Sequence, residues 1–123
     1  MTISITKEFE FHAAHHLPEH KGGCKNVHGH SYILKVELQG TVCESGSSTG
    51  MIIDFGDLKQ IVNDNVIDKV DHRDLNMLWR NPTAEVMVES IAYWIAPHLP
   101  KEVLLTRVRL WETRTSYAEW RAE

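Results

Sequence analysis

His28-Gly29-His30-Ser31-Tyr32-Ile33-Leu34-Lys35-Val36-Glu37-Leu38-Gln39 reads as a strand with one covered face. Tyr32, Leu34, Val36 and Leu38 alternate with Lys35, Glu37 and Gln39, the period-two signature of a half-buried strand. His28 and His30 share the parity of the apolar row, so both imidazoles point toward the covered side. Their Cα atoms then stand about 6.5–7 Å apart. Gly29 between them lets the backbone come close without a Cβ in the way.

A second alternation lies toward the N-terminus, where Ile3, Ile5, Phe9 and Phe11 stand against Ser4, Thr6, Glu8 and Glu10. Carried forward without a bulge, the same parity brings His15 to the covered side. The intervening Pro18–Val27 segment, with Gly22, Gly23 and Cys24, reads as a loop over these histidines. Beyond a polar turn, Gly50-Met51-Ile52-Ile53 reads as a short strand running into a helix. Asp54 is its N-cap and Asp57 adds a second acid at the positive helix end. Phe55, Leu58, Ile61, Val62 and Val66 supply its apolar stripe. A second helix opens at Asn81-Pro82-Thr83, buries Ala84, Met87, Val88, Ile91, Ile95 and Leu99, and ends near Pro97 and Pro100. The last third returns to strands. Thr106, Val108, Leu110 and Glu112 share one face, Arg107, Arg109, Trp111 and Thr113 the other, and a final short strand runs from Tyr117 to Arg121. Two strands, two helices and two strands predict an α+β fold, an antiparallel sheet with helices on one face.

The 123 residues fit one domain, 1–123, large enough to bury a core unaided. A hydrophobic share of 42% and a formal charge of −4 describe a soluble globular chain with no basic field for nucleic acid. No apolar run approaches the roughly 20 residues of a membrane helix, and Met1-Thr2-Ile3-Ser4-Ile5 lacks the pattern of a secretion signal. A cytoplasmic protein with Cys24 and Cys43 reduced is expected.

Four groups carry chemistry. His15, His28 and His30 could close on one zinc ion, since a catalytic zinc keeps three protein ligands and an open position. Cys24 would then be free to act through its thiolate, which a nearby metal, His, Lys21 or Lys25 stabilises. A closed structural site with Cys24 as fourth ligand, or no metal at all, are the other readings of the same spacing. Glu112 stands in an apolar row, where a carboxylate is costly unless satisfied. It suits a guanidinium (Arg109 or Arg114) or equally the amino-pyrimidinone edge of a pterin or guanine. Asp71-His72 pairs a proton carrier with a carboxylate that can orient it, provided a turn or helix end brings the two together.

Taken in order, Phe11-His12-Ala13-Ala14-His15-His16-Leu17-Pro18, Cys24 to His30, Gly50 to Phe55, Asp71-His72 with Leu75-Asn76, Asn81 to Glu85, and Glu112-Thr113 resemble the 6-pyruvoyl-tetrahydropterin synthase family. The three residues between Cys24 and His28 resemble its carboxy-forming branch, whose product leads to queuosine. The resemblance implies the tunnelling fold, a four-stranded antiparallel sheet with two helices on its convex face, assembled through trimers into a barrel-like hexamer. It also implies zinc on His15, His28 and His30, Cys24 as general base with Asp71 and His72 as its partner dyad, and Glu112 anchoring the pterin with help from Thr83 or Glu85. The implied reaction takes 7,8-dihydroneopterin triphosphate to 6-carboxy-5,6,7,8-tetrahydropterin with loss of acetaldehyde and triphosphate. The pyruvoyl-forming reaction, or a zinc-stabilised pterin-binding module without turnover, are the alternatives. Lys21, Lys25 and Arg73 are candidate triphosphate contacts.

Overall fold

The computed structural model describes residues 2–123; Met1, the first residue of the expected domain, lies outside them. Strand β1 (Ile3–His15) pairs antiparallel with β2 (His28–Gly40) in unbroken register, setting Phe9 opposite Leu34, Phe11 opposite Tyr32 and His15 opposite His28. Strands β3 (Leu104–Thr113) and β4 (Ser116–Arg121) complete one four-stranded antiparallel sheet in the order β1-β2-β3-β4.

The alternation in the strands decides which face is covered. Phe11, Tyr32, Leu34, Val36, Leu38, Val108 and Leu110 are fully buried on it. Each large apolar side chain so placed contributes about 1.5–3 kcal/mol relative to exposure. The opposite face carries ion pairs, Arg109 on Glu119 and Arg107 3.5 Å from Glu37, beside Ile33, Trp111 and Tyr117.

Helix α1 (Phe55–Val62) starts where Asp54 accepts the Gly56 N–H. The helical path runs on through a π-turn (Asn63–Ile67) into the short α2 (Asp68–Val70), longer than the apolar stripe predicted. Leu58, Val62, Val66 and Val70 recur every four residues and are all fully buried, which explains the extension. Helix α3 (Ala84–Ile95) begins where the Thr83 hydroxyl oxygen accepts the Val86 N–H, and it packs on β3 and β4. A 3₁₀ turn over Ala96–His98 then sets Leu99 beyond the helix proper.

Two expectations need correction. Gly50–Ile53 forms no strand: Gly46 and Gly50 adopt positive φ, and Cys43 exchanges main-chain bonds with Gly50 and Met51 in a compact loop. Ile52 and Ile53 are apolar because they plug the core, and a short apolar run does not distinguish a plug from a strand. In β3 the register shifts opposite Glu37 and Leu38, so Leu105 rather than Thr106 joins the buried row. The Thr106 hydroxyl instead donates to the Glu37 carbonyl and carboxylate.

Candidate metal centre and adjoining cavity

The last residue of β1 and the first and third of β2 converge because the pairing register sets them side by side. His15, His28 and His30 each offer a nitrogen, and the three nitrogens lie within 4.8 Å of one another. His15 is buried to 1% exposure and the other two are half-buried.

Hydrogen bonds on the far side of two rings decide their tautomers. His15 Nδ1 lies 2.8 Å from the Pro82 carbonyl, and His28 Nδ1 2.8 Å from the Asn26 carbonyl. A carbonyl only accepts, so both Nδ1 atoms carry the proton and both Nε2 atoms present lone pairs. These lone pairs face each other at 3.1 Å. Two acceptors do not bond; a cation between them removes the conflict. Tetrahedral zinc with Zn–N of about 2.0–2.1 Å sets ligand nitrogens about 3.3–3.4 Å apart, close to the spacing found. Among the described residues His30 Nε2 is buried without a hydrogen-bond partner, which suits a nitrogen whose lone pair receives an electrophile. Burial holds His15 and His30 below the ordinary imidazole value, keeping them in the neutral, ligating form. The residues fit a divalent, nitrogen-preferring metal.

The Tyr32 hydroxyl sits 3.3 Å from His15 Nδ1. Burial pushes this phenol well above its ordinary value, so it stays protonated.

Cys24 lies on a 3₁₀ turn (Gly23–Lys25) whose carbonyl accepts the Leu17 N–H at 2.8 Å, drawing the loop over the end of β1. Its thiol is free and half-buried, and it does not belong to the set of converging ligand atoms. Cys43 is free as well.

Glu112 stands at a register shift between β3 and β4, where Trp111 pairs with Tyr117 and Thr113 with Ser116, leaving it without a partner residue. Such bulges re-aim a side chain. Its Oε2 comes within 4.0 Å of His15 Nε2, with the side chain 30% exposed. Among the described residues it has no guanidinium partner, since Arg109 is engaged by Glu119. Glu112 also lines a cavity of about 590 Å³ together with Leu17, Thr83, Glu85, Tyr117 and Glu119. Thr83 caps α3 with its oxygen and keeps its hydroxyl proton for donation, while Glu85 occupies the first turn. One carboxylate thus belongs both to the cavity and to the rim of the histidine cluster. Lys21, Lys25 and Arg73 are absent from the cavity wall.

Asp71 and His72 follow α2 on the outer edge of β1. His72 adopts φ +58, which turns its ring back so that Nδ1 lies 3.0 Å from Asp71 Oδ1. Asp71 also accepts the His12 main-chain N–H at 3.0 Å, while the His72 N–H donates to the His12 carbonyl at 2.6 Å. The His72 side chain is 77% exposed. His15 lies three strand steps beyond His12, about 10 Å along β1. Within one chain the structure therefore gathers the three histidines with Glu112, and Glu112 with Thr83 and Glu85. It brings neither the dyad nor Cys24 into that group.

The main-chain bond to His12, aided by His72, holds the Asp71 carboxyl below its ordinary 3.8. A depressed folded value means that its stabilising effect is present above the unfolded value and disappears as pH falls through the folded one. A carboxyl-carbon NMR titration should place the Asp71 midpoint below 3.8. A midpoint at or above that value would contradict the hydrogen-bonded geometry.

Pro82 and Asn26 orient His15 and His28 through carbonyls, and the buried Tyr32 hydroxyl stands beside His15. None was singled out from sequence for this role. Carbonyl contacts leave no side-chain signature, and Tyr32 reads simply as one more apolar-row residue.

The profile of the family described as 6-pyruvoyl tetrahydropterin synthase matches residues 4–123. The chain is 36% identical to the 6-carboxy-5,6,7,8-tetrahydropterin synthase of Haemophilus influenzae, over 96% of this chain and 98% of that protein. It is 39% identical to the protein of the same name from Synechocystis sp., over 94% of this chain and 91% of that one. The solved 6-pyruvoyl tetrahydropterin synthase of Caenorhabditis elegans aligns with a TM-score of 0.85 and 26% identity, covering 100% of this chain and 97% of that one.

Proposed function

Because the chain belongs to the 6-pyruvoyl tetrahydropterin synthase family, whose enzymes act as lyases on pterins, we propose that it converts 7,8-dihydroneopterin triphosphate and one water to 6-carboxy-5,6,7,8-tetrahydropterin, acetaldehyde and triphosphate, the water supplying the second carboxyl oxygen. The observation that carries this reading is the double position of Glu112, facing the histidine cluster and the 590 Å³ cavity at once. A pterin ring anchored there would hold its side chain over His15, His28 and His30. The carboxy-forming branch is favoured by the names of the H. influenzae and Synechocystis relatives and by the short Lys25-Asn26-Val27 interval.

In this scheme Glu112 accepts two N–H bonds from the amino-pyrimidinone edge, with Thr83 and Glu85 beside it on the wall. Zinc held by the three imidazoles would supply Lewis acidity toward the side-chain hydroxyls. Cys24 takes a proton from the side-chain carbons as general base. His72, whose Nδ1–H is held by Asp71, has Nε2 left to accept and return a proton. The exposed position of His72 on the edge of β1 suits service to a site completed by another copy, so a trimer or a hexamer with sites between subunits is part of the proposal. Among the described residues no helix is long and apolar enough to cross a membrane, and the formal net charge is −4. A cytoplasmic enzyme supplying queuosine synthesis completes the reading.

Incubating the zinc-loaded protein with dihydroneopterin triphosphate and analysing products by mass tests it. The carboxy-pterin and one equivalent of acetaldehyde are expected. A pyruvoyl-pterin without acetaldehyde would reassign the chain to the other branch, and an unchanged substrate would leave a binding protein.

A further inference from the structure

The outer edge of β1 is covered, near its end, by one short strap of chain. Asp71 accepts the His12 N–H at 3.0 Å, the His72 N–H donates to the His12 carbonyl at 2.6 Å, and the Arg73 carbonyl accepts the Ala14 N–H at 3.0 Å. Asn76 then pairs with the next outward-facing residue as a strand neighbour would. Its Oδ1 accepts the His16 N–H at 2.9 Å and its Nδ2 donates to the His16 carbonyl at 2.9 Å. The same Nδ2 lies 3.4 Å from the Arg80 carbonyl, tying the strap to itself. Six residues on, the Pro82 carbonyl receives His15 Nδ1 at 2.8 Å.

One continuous segment thus holds the dyad at its beginning and orients a metal ligand at its end. Asn76 is the side chain that sets its register against the residue following that ligand. We propose that Asn76 is a positioning residue, locking the 71–82 strap onto β1 so that the Pro82 carbonyl stays on His15 and His72 stays on His12. Its amide supplies a donor and an acceptor in one plane, and both are used. Without them the strap loses both side-chain bonds that hold it to the His16 main chain, and residues 77–82 can move the Pro82 carbonyl away from His15. His15 then loses the bond that fixes its tautomer and ring plane. Loss of such an outer bond weakens metal affinity by about 10- to 100-fold. The consequence for turnover rests on the reaction proposed above; the consequence for metal does not.

The test compares zinc affinity, by chelator competition on folded protein, in wild type, Asn76→Ala and Asn76→Asp. The aspartate keeps an acceptor toward the His16 N–H but sets a second oxygen against the His16 carbonyl, so both variants should bind zinc about 10- to 100-fold more weakly. Asn65→Ala serves as control, because it removes a comparable amide-to-carbonyl bond, to Ile61 at 2.8 Å, away from the strap. It should lower thermal stability and leave zinc affinity unchanged. Amide exchange at His72 should quicken in the Asn76 variants and not in the control. If Asn76→Ala does not fold, the aspartate variant carries the comparison. Wild-type zinc affinity in a folded Asn76 variant, or an equal loss in Asn65→Ala, would overturn the proposal. The affinity comparison decides it whether or not the wild type turns over.

Discussion

Cys24→Ala should keep its divalent ion while turnover falls about 100- to 10,000-fold, the usual contribution of a positioned proton-transfer group. The expectation of retained metal follows from the ligand geometry. Three imidazole nitrogens already converge within 4.8 Å, and the Cys24 sulfur is not among the converging atoms. Removing it takes nothing from the donor set. The loop that carries it is anchored by the Cys24 carbonyl to the Leu17 N–H, a bond that alanine leaves intact. Folding should therefore be close to that of wild type. Metal content by elemental analysis, beside single-turnover kinetics, separates the possibilities. A closed structural site would behave in the opposite way, losing metal and stability together.

The sheet was legible because its two N-terminal strands alternate, with Lys7 standing in the row of Ile3, Ile5, Phe9 and Phe11. Phe9, Phe11 and His15 keep one parity, Leu34, Tyr32 and His28 keep another, and antiparallel pairing makes each the neighbour of its counterpart. The convergence of His15, His28 and His30 followed from that arithmetic. Glu112 followed from the same counting on β3, although its freedom to face His15 comes from a bulge that no pattern announces. Leu105 and Thr106 show the limit of counting, since one extra residue exchanged their faces. Ile52 and Ile53 show another, because apolar character records burial and says little about backbone form. In sequence Asp71 and His72 form a pair that can cooperate only in a special conformation, and the positive φ of His72 supplies it. Their distance from the histidine cluster was not legible. Residue types record the chemistry a pair can do, whereas where the pair lies is set by the path of the chain after α2.

Glu112→Gln should lower kcat/KM about 100- to 10,000-fold while metal content stays unchanged. An ionised carboxylate accepting two N–H bonds gains about 1.5–3 kcal/mol from each, and every 1.4 kcal/mol is about tenfold in rate or affinity. Glutamine has the same shape, but one of its two terminal atoms is a donor, which would meet a donor on the amino-pyrimidinone edge. The mismatch costs more than a simple deletion, because a buried polar group is left facing its like. Glu112→Ala should therefore be no worse than Glu112→Gln in binding, an ordering that a purely steric role would not produce. Glu112→Asp keeps the charge and withdraws it by about one methylene, roughly 1.5 Å, so it should recover part of the affinity and less of the rate. The carboxylate also stands 4.0 Å from His15 Nε2, where it favours positive charge at the metal-facing rim. Its loss should ease release of zinc slightly, by an amount far below the effect of removing an imidazole. If Glu112→Gln instead releases the metal outright, the carboxylate belongs to the ion and not to the ring, and the cavity beside it must be assigned to something other than a pterin.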